Sequence, residues 1–247
     1  MGKLYVDQVL KIAAGEIGYR EKATNAELDS QTANAGSGNY TKYARDLWEA
    51  LPHFYQGPKN GYDWCAVFFD WCLYMACGDS QHAQDALCYT GPYGAGCGMS
   101  VMYYREAGRF WKRADADPRP GDQIFFGSES NVQHTGLVEA VSADTITTIE
   151  GNSSNMVRRV IYNRTNSRIY GYGRPKYDGD VAPDPSTDIP FTDVKPNQWY
   201  TDAAVWCWEN GIVSGRTPTY LGVMENVTKG EVMVMLQKLY ELIKGGG

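Results

Sequence analysis

Apolar residues recur at Val6, Val9, Leu10, Ala13, Ala14 and Ile17, the spacing of one helical face, and predict a first helix over Val6–Tyr19 that Gly18 can terminate. Residues 24–40 are rich in Asn, Ala, Gly and Ser and read as a long loop before a second helix from Thr41 to about Leu51. From Trp64 to Ala76 the chain is apolar on nearly every face apart from Asp70, with Asp63 as the expected N-cap after an Asn60-Gly61 turn. A helix of that composition has no face to give to water, so it must be central. Residues 88–98 read as a Gly-rich loop, Val101–Phe110 as a short amphipathic helix, and Pro118–Asp122 as a turn. Strand-like runs follow at Gln123–Phe126, Thr135–Val141, Thr145–Ile149, Val157–Tyr162 and Ile169–Tyr172.

Helices first and antiparallel strands second predict an α+β domain over residues 1–177, with one helix laid across a curled sheet. Residues 178–190 combine Pro and Asp with almost no apolar content, the composition of an extended linker. A small α-helical unit is expected over 191–243, with 244–247 as a tail.

The chain has 247 residues, 43% of them hydrophobic, enough for one medium domain and a small one. Of the 23 basic and 29 acidic side chains, residues 178–247 hold five and ten, so the net charge of −6 is concentrated there and nucleic acid is not an expected partner. The first residues lack the apolar core of a signal peptide and no stretch approaches the roughly 20 apolar residues of a membrane span. The expectation is a protein made in the cytoplasm without membrane insertion. Cys65, Cys72 and Cys77 share one predicted helix, where bridging is disfavoured. Free thiols are therefore expected, and Cys88 with Cys97 is the one pair to test.

A thiol becomes a nucleophile as thiolate, and a helix N-terminus together with an imidazole lowers its pKa. Cys65 stands in the first turn of the central helix, whereas Cys72 and Cys77 lie deeper and read as buried structural thiols. Of three histidines, His53 and His82 read as surface or satisfied residues. His134 stands at the start of an apolar strand, where a base can face a cleft. Glu150 ends the next strand and would orient Nδ1 of that imidazole, and Asn152 would hold the same cleft. Against these, Cys65 can also be a buried structural thiol and Glu150-Gly151-Asn152 a solvated turn. Tyr62 and Asp63 are near enough in sequence to supply an oxyanion donor. No zinc-ligand spacing is present and residues 24–40 carry no calcium-loop spacing, so neither a metal nor a cofactor is expected.

The strings DWCAVFFDWC (63–72), GDQIFF (121–126) leading to HTGLVEAV (134–141), and TIEGN (148–152) resemble the CHAP domains, cysteine- and histidine-dependent amidohydrolase/peptidases with a papain-like fold. The resemblance covers nearly all of residues 1–177. It implies Cys65 as nucleophile, His134 as base, Glu150 as orienting acid and Asn152 as a fourth member of the site. It implies a peptidoglycan amide as substrate, in the stem peptides or at the muramoyl-alanine link, and a phage endolysin that reaches the wall after release at lysis.

Residues 191–243 resemble one S-layer homology module, through Phe191-Thr192-Asp193-Val194, Trp199-Tyr200 and Gly211–Gly215. Such modules bind secondary wall polysaccharide through a Thr-Arg-Ala-Glu motif, which here reads Thr228-Lys229-Gly230-Glu231. Lys in place of Arg loses planar bidentate recognition, and Gly weakens the first helical turn. Trp199, Thr228, Lys229 and Glu231 are the candidate polymer-binding residues. Trp208 is a further candidate sugar platform, and Trp206 is expected in the core. A single copy would gain valency by association, so a homo-oligomer through this unit is the alternative role. For the whole chain the alternatives are a non-catalytic wall-binding protein, or a cysteine amidase acting on a non-wall amide.

Overall fold

The computed structural model describes residues 3–50, 55, 57–90, 96–178, 190–194 and 200–245. His53, Trp199 and most of the expected linker lie outside the described residues. The chain divides into two compact units, Met1–Asp180 and Val181–Gly247.

The first unit is α+β. Five helices come first: α1 (Val6–Gly15), α2 (Lys42–Ala50), α3 (Cys65–Cys77), α4 (Ser80–Ala86) and α5 (Cys97–Glu106). Strands β1 (Phe110–Lys112), β2 (Gln123–Ser128), β3 (Asn131–Val141), β4 (Thr145–Glu150), β5 (Arg158–Asn163) and β6 (Ile169–Gly173) form one antiparallel sheet in the order β1-β6-β2-β3-β4-β5.

Several boundaries depart from the sequence reading, each for a local reason. The α1 helix stops at Gly15, because Gly18 turns with φ +97° and its N–H donates to the Val157 carbonyl on the sheet side. The short α4 starts on an Asp79 cap, whose carboxylate accepts the His82 N–H at 2.8 Å. The α5 helix ends at Glu106, and Phe110, its expected last residue, instead opens strand β1. The α5 helix itself begins four residues earlier than expected, which makes Cys97 its first residue. His134 is the fourth residue of β3 rather than its start.

As its composition requires, α3 is central. Residues Cys65–Leu73 are all buried, and Gly78 closes the helix in the left-handed conformation with φ 62°. Its flank meets a ring cluster in which Tyr43 lies 4.8–5.6 Å from the rings of Tyr19, Trp64, Phe68 and Trp71. Each such side chain contributes about 1.5–3 kcal/mol on full burial, so this cluster fixes where the start of α3 sits. The one acid of the helix, Asp70, is buried, and its Oδ2 accepts the hydroxyls of Tyr55 and Tyr89 at 2.6 and 2.9 Å.

The segment between α1 and α2 is ordered by its own polar groups. Lys22, with no exposed surface, donates from Nζ to the Ser30 carbonyl at 2.5 Å and lies over the Tyr19 ring. Beside it, the buried Glu21 carboxylate accepts the Asn39 N–H at 3.2 Å and the Trp64 indole N–H at 2.8 Å. The loop therefore braces the residue just before Cys65.

In the second unit, α6 (Thr201–Glu209) and α7 (Lys229–Gly245) accompany a loop fold in which Asp193 accepts the N–H groups of Leu221, Gly222 and Val223. Residues 244 and 245, expected in the tail, belong to α7. Trp206 is 47% exposed instead of core, whereas Trp208 meets the Phe191 ring edge-on at 5.8 Å. No helix among the described residues is long and apolar enough to cross a membrane.

Replacing Glu21 by Ala strands a buried indole N–H, worth about 1–3 kcal/mol when left without an acceptor, and a part-buried backbone N–H, worth less. Glu21→Ala is expected to lower stability by about 2–4 kcal/mol in urea unfolding, and Glu21→Gln, which keeps an acceptor, by clearly less. Equal losses for the two variants would mean that the carboxylate does not hold Trp64 in this way.

Candidate active site

Three elements converge on one thiol. Cys65 is the first residue of α3, and among the described residues no side chain caps that helix end. The free N–H groups and the positive end of the helix dipole therefore face its sulfur, where they favour a thiolate. Asp63, expected to cap the helix, instead accepts the side-chain N–H of Asn152 at 3.1 Å, and Trp64 occupies the cap position.

The β2–β3 register sets His134 opposite Phe126, whose ring stacks on the imidazole at 5.8 Å. The His134 Nε2–H donates to Glu150 Oε2 at 3.0 Å. The carboxylate thus holds Nε2, not the Nδ1 that the sequence reading assigned to it, which leaves Nδ1 as the nitrogen available to Cys65. Glu150 is 1% exposed, and its other oxygen accepts the Thr148 hydroxyl at 2.7 Å. Two glycines make this possible. A Cβ on Gly136 would lie 2.6 Å from Glu150 Cγ, and one on Gly151 would lie 2.5 Å from Phe68 Cβ, so the end of β4 can lie directly on α3.

The electrostatics follow from these contacts. The Cys65 thiol is brought down from its ordinary 9.0 to about 5, first by a hydrogen bond from Cys97, against the opposing effect of burial, and then by His134 and the Thr135 backbone. For His134 the largest influence is burial, which disfavours charge, but hydrogen bonds and charges from Cys65 and Glu150 outweigh it and raise the imidazole to about 9. Burial likewise opposes the Glu150 charge, and bonds from His134, Thr148 and Tyr162 still hold that carboxyl below its usual range. Between these limits the pair stands as thiolate and imidazolium.

Cys65, His134 and Glu150 are therefore brought together. Asn152 is not on the imidazole: it adopts φ 55°, and its amide spans to Asp63 on the rim. Cys97, Thr135, Thr148 and Tyr162 join the site without having been singled out for it. Cys97 was noticed as a partner for Cys88, yet its Sγ lies 3.5 Å from that of Cys65, and all six cysteines are free. Thr148 and Tyr162 carry a strand-periodicity signal that puts them on the Glu150 face, but periodicity says nothing of function. Among the described residues no group of three His, Cys, Asp or Glu side chains could hold a metal ion.

The polymer-binding candidates of the second unit stand apart from one another in role. Thr228 and Glu231 form a reciprocal cap on α7, with Thr228 N–H to Glu231 Oε2 at 2.7 Å and Glu231 N–H to Thr228 Oγ1 at 3.2 Å. Lys229 is exposed. Glu231 also lines, with Tyr200, Cys207, Arg216 and Met235, a cavity of about 270 Å³ within that unit.

Residues 57–152 match the family model of the CHAP domain. Among curated proteins none gives a significant match. Solved structures that align with the chain include the crystal structure of Ly7917 and that of Ly7917 with the hydrolyzing product of MDP. They are 15% and 16% identical, each alignment covers 69% of this chain and 62% of that chain, and the TM-score is 0.40 in both. The chain thus spans less than two thirds of the length of these structures.

Alkylation of Cys65 by iodoacetamide is expected to rise through a midpoint near 5 rather than near 9. The imidazolium form of His134, raised to about 9, is lost as pH climbs through that value. Removing the Glu150 charge lowers that pKa, so Glu150→Gln should move the alkaline limb of the kcat/KM profile to lower pH. An alkaline limb unmoved by Glu150→Gln would dissociate Glu150 from the imidazole.

Proposed function

We propose that the chain is a peptidoglycan hydrolase that cleaves a wall amide with Cys65 as nucleophile. Support comes above all from one arrangement: a thiol at a helix N-terminus, coupled electrostatically to an imidazole whose Nε2 rests 3.0 Å from a buried carboxylate. The CHAP-domain match over 57–152 includes all three residues and carries the substrate class with it.

In the proposed reaction the thiolate attacks the amide carbonyl, and N–H groups at the start of α3 receive the developing oxyanion charge. The imidazolium, its Nδ1–H towards the sulfur, protonates the departing amine. His134 then takes a proton from water, which adds to the thioester and frees the acid and the thiolate. Glu150 keeps the ring oriented throughout and stabilises its charge. Asn152 acts at the rim through Asp63, not as a member of the triad.

The second unit is proposed to retain the enzyme on the wall, by binding secondary polysaccharide near Trp199 and Lys229 or by associating with a second copy. The exposed apolar side chains Met233, Leu236, Tyr240 and Ile243 on α7 favour association. A phage-borne endolysin released at lysis is the physiological setting that this combination fits.

Purified peptidoglycan incubated with the native chain should release soluble fragments, and Cys65→Ala should lower the rate by at least about a thousandfold while leaving the unfolding midpoint nearly unchanged. New amino and carboxyl termini, identified by mass spectrometry, assign the bond. Lysis retained by Cys65→Ala would end this reading, and retention on walls without release by either protein would make the chain a wall-binding protein instead.

A further inference from the structure

Beside the nucleophile stands a second thiol that the hydrolytic steps do not consume. Cys65 and Cys97 are each the first residue of a helix, α3 and α5, and the two helix starts meet with the sulfurs 3.5 Å apart. A disulfide needs about 2.05 Å between sulfurs, so closure asks for about 1.5 Å of side-chain movement and no new approach of distant segments. Both residues keep a small opening to solvent, 6% and 7% exposed.

We propose that Cys65 and Cys97 constitute an oxidative modification site, a dithiol that hydrogen peroxide converts into a disulfide and that small thiols reopen. The Cys65 thiolate attacks one peroxide oxygen, the O–O bond breaks, and hydroxide leaves, giving the sulfenic acid. The Cys97 thiol then displaces that oxygen as water and forms the S–S bond. Two thiol sulfurs are oxidised by one electron each, and the two peroxide oxygens are reduced to water. A thiol reductant reverses the step through a mixed disulfide.

The other cysteines lack this geometry. Cys77 donates to the Tyr74 and Asp79 carbonyls and Cys88 to that of Ala86, and burial holds both thiols, with that of Cys72, in the protonated form. In Cys65 and Cys97, by contrast, one sulfur is poised as thiolate and the other still carries its proton, the division of roles that a peroxidatic and a resolving thiol require. The consequence is an enzyme silenced reversibly under oxidation, with its nucleophile shielded from higher oxidation states. Bond formation rests on this geometry alone. Only its effect on hydrolysis rests on the reading of Cys65 as nucleophile.

The full-length chain, reduced and then exposed to peroxide at a small molar excess, tests the assignment. Trypsin leaves Cys65 and Cys97 on one peptide, because no Lys or Arg lies between Lys59 and Arg105. Cleavage before aspartates separates them, at Asp63, Asp70, Asp79 and Asp85. We expect a mass loss of about 2 Da, a cross-link from peptide 63–69 to the peptide beginning at Asp85, and fragment ions that assign it to Cys97 rather than Cys88. Wall lysis should fall at least tenfold in step and return with dithiothreitol. In Cys97→Ser the same peroxide should add about 32 Da at Cys65 and the loss should resist dithiothreitol. Sulfinic acid at Cys65 of the native chain with Cys97 still free, or a cross-link to Cys88, overturns the proposal. A chain that forms the Cys65–Cys97 bond reversibly but never lyses walls supports the dithiol and rejects the hydrolase reading.

Discussion

Burial of α3 on nearly all its faces is the constraint from which the site follows. A helix whose first nine residues are all buried has to be wrapped by α1, α2, α4, α5 and the sheet. Its N-terminus must then emerge where the wrapping is thinnest, at the edge between β3, β4 and the start of α5. The ring cluster around Tyr43 and the buried Glu21–Trp64 hydrogen bond fix the helix end. Gly151 lets the end of β4 close on it at a distance that a side chain would forbid, and Gly136 makes room for the Glu150 side chain. Position of the thiol is thus a by-product of packing, with no separate device needed to aim it.

Burial also sets the energetic problem that the polar groups solve. An imidazolium beside a thiolate in a poorly solvated cleft costs several kcal/mol unless each charge is met by donors or acceptors. Here the thiolate is stabilised by the Cys97 thiol at 3.5 Å, and further by His134 and the Thr135 backbone. The imidazolium has Glu150 on its far nitrogen, and Glu150 in turn has Thr148 and Tyr162. The chain of partners ends on neutral hydroxyls, so the net charge of the group is carried by Glu150 alone. Asp70, deeper on the same helix, shows the reverse: with one oxygen lacking a hydrogen-bond partner, burial lifts its carboxyl to about 7, and two tyrosine hydroxyls only partly offset this.

Much of this was legible in the sequence because it rests on short-range patterns. The apolar run after Asp63, the alternation through β2–β4 and the order Cys65, His134, Glu150 locate the helix, the sheet and the three residues. What was not legible depends on tertiary approach. Asp63 looks like a helix cap by residue type, but Asn152, 89 positions away, takes its carboxylate. Which nitrogen meets Glu150 is a matter of ring rotation, which no spacing encodes. Cys97 was misread because the glycines around it suggest loop, whereas the helix begins at that residue. In the second unit, Thr228 and Glu231 carry a motif whose local meaning, a capping box, is satisfied in full. A sequence match there cannot separate a cap from a ligand site.

For the proposed hydrolysis, the donors around Cys65 also impose a trade-off. A thiolate stabilised to a pKa of about 5 is fully formed at neutral pH, but its intrinsic nucleophilicity falls as its basicity falls. Three donors therefore secure the ionised state at the expense of attack rate. The balance is recovered where the charge goes next: as negative charge leaves sulfur for the carbonyl oxygen, the N–H groups at the α3 terminus gain a stronger acceptor. The Cys97 proton loses its acceptor at the same moment, so the contact that most lowers the Cys65 pKa stabilises the resting enzyme more than the transition state. A contact with that sign is a liability for hydrolysis alone. Its presence 3.5 Å from the Cys65 sulfur is better accounted for by a second role for the pair of sulfurs than by the proposed hydrolysis.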